Sequence, residues 1–524
     1  MDELVPKFTS LADVYPDSSA PKGISPESLT RWNNLLSLFS KTYGHTPDFV
    51  ARSPGRVNII GEHIDYSLYD VLPVAVTADA LIAVKVTSSS TDQATIKIAN
   101  LNQEKFPSQE FQIPVKGDIE IDASKHKWTN YFKAGLRGAL QFLRNEYEGN
   151  WTPVSMEIVV DGNVPAGGGM SSSAALVCAS ALSALIANSH DVSKRDLLDL
   201  AVVSERAVGV FSGGMDQAAS IFSKKGYLLH CTFFPSFDAE YVPVPRSDPE
   251  LTFLVAQSFV AADKHVTAPK HYNLRVVECT LAAVVLAKLH EVVLKPDSSP
   301  LGFSLRNVQE EIMRKQDRLD RPPEEQLAAM TSIAESKLDR EDGYTREDLA
   351  DILGMSVESL EEKHMSKFPI QAAKFQLRRR ALHVFQEANR VFEFKKILSD
   401  AQESGKGLHD RELHSLGNLM NETQESCSVV YDCSAPELDE ICAIARRAGT
   451  YGSRLTGAGW GGCTVHLVQQ SMVERVTEAL KEEYYSKHFP GIAEEKLKEA
   501  LVISTPSQGS AGIVGAAVKM LYKS

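Results

Sequence analysis

Gly167-Gly168-Gly169-Met170-Ser171-Ser172-Ser173-Ala174-Ala175 follows a strand-like run, Met156-Glu157-Ile158-Val159-Val160, and precedes a long apolar run of small residues reaching Asn188. A strand, a glycine loop and then a buried helix N-terminus concentrate backbone N–H groups on one spot. Three glycines let the chain approach an anion closely, and three serines add hydroxyl donors. No lysine follows the glycines, so this is not a Walker A loop. A glycine-rich turn with a serine N-cap accounts for the same residues, and the stretch alone leaves both readings open.

Around this segment lies a chain of 524 residues, 43% hydrophobic and 23% charged, long enough for two or more domains. Its net charge of −13 gives no electrostatic reason to expect nucleic acid or an anionic membrane as a partner. The N-terminus is acidic and polar, without the apolar core of a signal peptide, and the apolar run Val276–Leu289 is too short to span a bilayer. The seven cysteines include no Cys-x-x-Cys pair, which fits reduced thiols in a cytoplasmic protein.

Strand-like segments (Val57–Ile60, Leu81–Thr87, Ala94–Ile98, Ser155–Val160) interleave with helical patterns (Pro26–Thr42, Trp128–Tyr147, Ala174–Asn188), which predicts an α+β layered domain. Residues 1–28, rich in Pro, Ser and Asp, read as a flexible arm. The Pro-rich connection Pro243–Pro249 divides a first domain, 29–245, from a second, 246–524. Within the second, the charged segment 296–368, containing RKQDRLDRPPEEQ, reads as a peripheral helical insertion rather than core.

Three further constellations could carry chemistry. In ARSPGRVNIIGEHIDY (51–66), Arg56, Glu62, His63 and Asp65 crowd the end of a strand, where carboxylates and an imidazole could pair with several ligand hydroxyls. A solvated turn whose charges satisfy one another is the alternative. In SKRDLLDLAVVSERAVGVFSGGMDQAAS (193–220), Ser193 and Asp196 form a capping-box pattern, and Glu205 falls on an apolar helix face beside Leu198, Ala201 and Val202. A carboxylate there needs a partner: a metal ion, or a buried salt bridge. Asp216 follows in a Gly-Gly-Met-Asp-Gln turn. In GSRLTGAGWGGCTVHLV (452–468), two strand-like runs flank a loop of four glycines, which suits either a tight hairpin or close approach to another loop or a ligand.

Taken together, these segments resemble the galactokinase branch of the GHMP small-molecule kinases. GRVNIIGEHIDY resembles the branch signature, PAGGGMSSSAA the phosphate loop and GSRLTGAGWGGCTVHLV the third motif, in the family's order, from about residue 47 to the end. The 296–368 segment is similar to that of fungal-type members. The resemblance implies a two-domain GHMP fold, with a ribosomal-protein-S5-like N-terminal domain, a ferredoxin-like C-terminal domain and a final strand returning to the first.

It also implies a site between the domains. Gly167, Gly168, Gly169, Ser171, Ser172 and Ser173 would bind the phosphates of ATP, with Trp128, Asp263 and Lys264 near the nucleotide. Glu205 and either Ser172 or Ser173 would hold Mg2+. Asp216 would be the catalytic base with Arg56 beside it, and Arg56, Glu62, His63, Asp65, Ser212, Asp216 and Tyr272 would contact the sugar. Met170 stands where leucine is commoner, and Ser212 where some relatives carry asparagine. The implied reaction joins ATP and D-galactose to give galactose 1-phosphate in a cytoplasmic monomer. N-acetylgalactosamine kinases share much of the pattern, though they can carry Phe at the position of Tyr272. Galactose sensors that engage a transcriptional repressor share it too, though they can lose phosphate-loop residues that are intact here.

Overall fold

The computed structural model describes residues 3–15, 24–88, 93–114, 116–122, 127–149, 151–165, 168–206, 213–260, 268–367 and 369–515. A seven-stranded sheet has the order β1-β13-β2-β3-β6-β4-β5. Its strands are β1 (Lys7–Phe8), β2 (Phe49–Ile60), β3 (Leu72–Thr87), β4 (Thr95–Asn100), β5 (Gln109–Gln112), β6 (Ser155–Gly162) and β13 (Ala511–Val514). All twelve residues of β2 are buried, because both faces of the sheet are covered. On one face lies α1 (Pro26–Tyr43), which Ser25 caps. Its Trp32, Leu35 and Phe39 pack on Val50, Leu81, Val159 and Ile513. Alternate residues, including Ala51, Ile82, Val84 and Ile158, face the main core instead. There α2 (Thr129–Glu146), α3 (Ser172–Ala187), α4 (Lys194–Arg206) and α5 (Met215–Phe222) pack together. A hairpin, β7 (Tyr227–Thr232) with β8 (Asp238–Pro243), follows.

The segment read as a flexible arm is structured over residues 3–15. Lys7 and Phe8 pair in parallel with Gly512 and Ile513 of β13, which itself pairs antiparallel with β2. Val5 and Val14 are buried, and the Tyr15 hydroxyl donates to Asp79. Its Pro, Ser and Asp content conceals apolar anchors whose partners are the last strand and the central strands.

The second sheet, β9 (Leu251–Gln257), β10 (Gly452–Thr456), β11 (Cys463–Gln469) and β12 (Leu501–Ser504), is antiparallel with the order β10-β11-β9-β12. Second strand, third, first, fourth is the split βαβ arrangement of a ferredoxin-like domain. Leu254, Ala256 and Val468 face a helical layer formed by α13 (Pro436–Ala448) and α14 (Val473–Leu480). Val255, Leu455 and Val465 face the main core shared with the first domain.

Between β9 and β10 run α6 (Tyr272–Leu289), α7 (Leu305–Lys315), α8 (Pro323–Lys337), α9 (Arg346–Leu353), α10 (Val357–His364), α11 (Leu377–Ser404) and α12 (Asp410–Glu425), with a short helix α15 (Glu494–Ala500) after α14. The 296–368 insertion is helical, but it is not merely peripheral. Leu305, Val308, Ile312, Leu327, Met330 and Leu349 are buried in the main core, while Arg314, Lys315 and Arg321 face solvent. These helices bury residues at helical spacing, such as Leu327, Met330 and Ala334 of α8, so a charge-rich composition is compatible with an apolar inner face.

Candidate active site

The glycine-serine stretch turns from β6 into α3 through left-handed conformations at Gly169 (φ 73°) and Ser171 (φ 56°). No side chain caps α3, so its first-turn N–H groups are left to the space in front of it. The Ser171 hydroxyl is buried without a partner among the described residues. Gly167 lies outside the described residues.

The third-motif glycines serve this loop. A Cβ on Gly457 (φ 91°) would come within 2.5 Å of the Gly169 carbonyl oxygen, and one on Gly169 within 2.9 Å of the Thr456 carbonyl oxygen. Gly462 would also crowd Gly169. The β10–β11 connection is a hairpin, and its glycines let two backbones touch.

Arg56 sits after a register irregularity in β2 at Pro54–Arg56, which turns its side chain towards α5. Its guanidinium is nearly buried. Nη2 lies 2.6 Å and Nε 2.8 Å from Oδ1 of Asp216, and Nη1 donates to the Gly169 carbonyl at 2.7 Å. One arginine therefore ties the acid in the first turn of α5 to the glycine loop. On α4, the buried Glu205 accepts the Ser173 hydroxyl at 2.8 Å and the Gln217 side-chain amide on its other oxygen. Of the two serines considered, Ser173 is the one bonded to Glu205. Gln217 was not among the sequence candidates, although it directly follows Asp216 in a helix-starting turn.

The acidic cluster at 62–65 divides. Glu62 forms a buried ion pair with Arg454 of the third motif, and burial pushes its carboxyl up against the opposing charges of Arg454 and Arg56. His63 Nε2 donates to the Ala458 carbonyl at 2.9 Å, and Nδ1 meets the Tyr66 hydroxyl at 2.9 Å. Both ring nitrogens are thus engaged within the protein. Charges that satisfy one another describe Glu62 well.

Asp65 is different. It opens a 3₁₀ turn, its carboxylate packs against the Gly213 backbone, and burial together with neighbouring Asp216 pushes its carboxyl up to about 6. Tyr272, at the start of α6, lies 5.5 Å from the His63 ring and 5.6 Å from Tyr66 between ring centroids. Burial, then Asp65, Asp216, Glu205 and Glu62, push its hydroxyl well above the usual phenol range, so acids from two separate motifs, 51–66 and 193–220, act on it together.

Trp128 stands at the entry of α2, where its indole N–H donates to the Pro107 carbonyl at 3.1 Å and its ring packs near Phe106. The structure records these neighbours and no hydrogen bond from Trp128 to the glycine loop among the described residues. Ser212, Asp263 and Lys264 lie outside the described residues.

Several residues that order this site were not singled out in the sequence. Arg454 holds Glu62, and Tyr431 ends a π-helical turn (Ser426–Val430) with its hydroxyl on that of Tyr66. Glu387 and His383 reach the Gly61–Glu62 main chain from α11. The available signal was a polar stripe, His383, Glu387 and Arg390, at helical spacing within an otherwise apolar face. The assembled site sets the uncapped N-terminus of α3 and four acids of the first domain, Glu62, Asp65, Glu205 and Asp216, against Tyr272 and Arg454 of the second, an arrangement suited to moving a phosphoryl group onto a polyhydroxylated acceptor.

Three family models match the chain: "Galactokinase galactose-binding signature" over residues 37–86, "GHMP kinases N terminal domain" over 130–224 and "GHMP kinases C terminal" over 406–486. Galactokinase of Saccharomyces cerevisiae is 38% identical over 97% of this chain and 97% of its own. That of Schizosaccharomyces pombe is 37% identical over 92% and 95%, and that of Dictyostelium discoideum 39% over 93% of each. The solved structure of Lactococcus lactis galactokinase complexed with galactose, 22% identical, superposes with a TM-score of 0.63 over 91% of this chain and 98% of that one, a likeness of fold. With near-full-length identity on this scale and all three models in order, the chain belongs to the galactokinase family of the GHMP kinases.

Proposed function

We propose that this protein transfers the γ-phosphoryl group of ATP to the anomeric hydroxyl of D-galactose, giving galactose 1-phosphate and ADP. The observation that carries the reading is the Arg56 bridge, 2.6 Å from Asp216 and 2.7 Å from the Gly169 carbonyl, which sets a carboxylate beside an uncapped helix N-terminus. The loop 168–173 receives the nucleotide phosphates. Asp216 accepts the proton from the sugar O1 as the O1–Pγ bond forms and the bond from Pγ to the bridging oxygen of ADP breaks. Arg56 orients the acid, and a cation at that distance favours its charged form.

A magnesium ion fits the same reading. Ser173 Oγ and the Glu205 carboxylate are hard oxygen donors, 2.8 Å apart, that suit Mg2+ once phosphate oxygens complete the shell. When bound, the ion neutralises charge on the transferring phosphate. Glu205→Gln is accordingly expected to raise the magnesium concentration needed for activity while leaving galactose binding without nucleotide nearly unchanged. An unaltered magnesium titration would return Glu205 to a purely structural role.

Galactose differs from glucose in the orientation of one hydroxyl, so discrimination requires a buried group that bonds that hydroxyl. Asp65 is the candidate, with Tyr272 assisting. Asp65→Ala is expected to cost about 1.5–3 kcal/mol of galactose affinity, the range for hydrogen bonds to charged groups. With burial and Asp216 pushing this carboxyl up to about 6, it is a full acceptor only above that, and kcat/KM for galactose is expected to fall as pH drops below it. A folded Asp65→Ala protein with wild-type affinity contradicts the assignment.

The deciding experiment is a coupled ADP-release assay with galactose, glucose and N-acetylgalactosamine. Strong preference for galactose is expected, and no turnover on galactose overturns the proposal. We assign the reaction to the cytoplasm, in keeping with seven buried, unpaired cysteines. Among the described residues no helix is long and apolar enough to cross a membrane.

A further inference from the structure

Gly61 adopts φ 104°, and the turn it makes aims two successive N–H groups outward from the first domain. Both meet one atom: Oε1 of Glu387 accepts from Gly61 N at 2.8 Å and from Glu62 N at 3.2 Å. The second oxygen of the same carboxylate accepts from Arg390 Nε and from Thr423 Oγ1, each at 2.8 Å. Glu387 is fully buried. Burial opposes its ionisation, but the charges of Arg390 and Arg454 outweigh it and hold the carboxyl at about 2.

One helical turn earlier, His383 grips the other side of the same residue. Its Nε2 donates to the Glu62 carbonyl at 3.0 Å, while Nδ1 accepts from Ser426 Oγ at 2.8 Å. Burial pushes His383 down to about 3, so it is neutral and this tautomer is fixed by the carbonyl it faces. Arg454 takes the Glu62 side chain. The Gly61 and Glu62 N–H groups, the Glu62 carbonyl and the Glu62 carboxylate are thus all held by residues of the second domain, three positions before Asp65.

We propose that Glu387 is a positioning residue for sugar recognition: from α11 it fixes the Gly61–Glu62 turn and thereby the placement of Asp65. The inference rests on the reading of this pocket as the hexose site. A charged acceptor for two backbone donors specifies one turn conformation, because any rotation of the turn strands buried N–H groups and a buried carboxylate together. Removing that charge should loosen the group that reads the sugar and leave the glycine loop, on the far side of Arg56, undisturbed.

The test is Glu387→Gln in the full-length protein, with KM for galactose and for ATP, kcat, and the galactose-to-glucose ratio of kcat/KM measured beside a thermal unfolding curve. A rise in galactose KM of about 10- to 100-fold is expected, the equivalent of hydrogen bonds to a charged group, with ATP KM within about twofold and weaker discrimination against glucose. An unchanged galactose KM, or an equal rise for both substrates, overturns the proposal, since general damage to the fold does not single out one substrate. Should that variant not fold, Thr423→Val removes one support of the carboxylate while keeping its charge. A few-fold rise confined to galactose KM is then expected, and no rise counts against the proposal. Wild-type protein inactive on galactose removes the hexose-kinase reading itself, whereas an active wild type with an unaffected variant removes only this inference.

Discussion

Asp216→Ala is expected to lower kcat by about 10²–10⁴-fold, the usual cost of losing a positioned general base. The sugar hydroxyl is a poor nucleophile until its proton can leave, and Asp216 is the acid that Arg56 couples directly to the loop proposed to bind phosphate. Galactose affinity should change much less, because Asp65 and Tyr272 remain. The change also leaves Arg56 without its carboxylate, so a modest loss of stability accompanies it, and thermal unfolding should be measured on the same preparation. Turnover within a few-fold of wild type, under conditions where chemistry limits the rate, would show that another group takes the proton.

The largest stability effect is expected at Asp79, a residue remote from the chemistry. It is fully buried on β3. Oδ1 accepts from Arg31 of α1 at 2.6 Å, and Oδ2 accepts from Arg52 of β2 at 2.6 Å and from the Tyr15 hydroxyl. Arg52 is itself fully buried and donates onward to the Gln508 and Gly509 carbonyls, just before β13. Asp79→Ala strands this buried guanidinium without its counter-charge, which typically costs about 3–5 kcal/mol. Both chain ends lean on this one carboxylate.

The pH dependence has a definite sign. Burial pushes the Asp79 carboxyl up, but Arg31 and Arg52 outweigh it and hold it below its ordinary value. A depressed folded-state pKa contributes stability above the unfolded value, about 3.9, and loses it as pH falls from there through the folded value. The gap in unfolding free energy between wild type and Asp79→Ala should therefore be full at neutral pH and shrink below about pH 4. Urea titrations at both pH values measure it. A gap that does not close on acidification means that the network's charge is not what stabilises the fold.

What the sequence by itself determined is local and patterned. The Ser25 cap and the Pro26 start of α1, the Ser193–Asp196 cap of α4 and the strand core of β6 follow from periodicity and side-chain chemistry within a few positions. That Glu205, a carboxylate on an apolar helix face, must find a partner was likewise legible, but the Ser173 hydroxyl as that partner was not. Tertiary structure alone decided which partner each group took. Glu62 pairs with Arg454 at a separation of 392 residues, and the Gly61 amide with Glu387 at 326, distances over which no periodicity carries information. The same holds for the third-motif glycines, which matter because another backbone passes within van der Waals range, and for the 3–15 segment, whose order depends on β13 at the opposite end of the chain. Charge content also misplaced the 296–368 helices, since composition averages over faces and burial acts on one face at a time. Local propensity is written in neighbouring residues, whereas the pairing of buried charges and the close approach of loops are properties of the folded chain, set by which surfaces must leave water together.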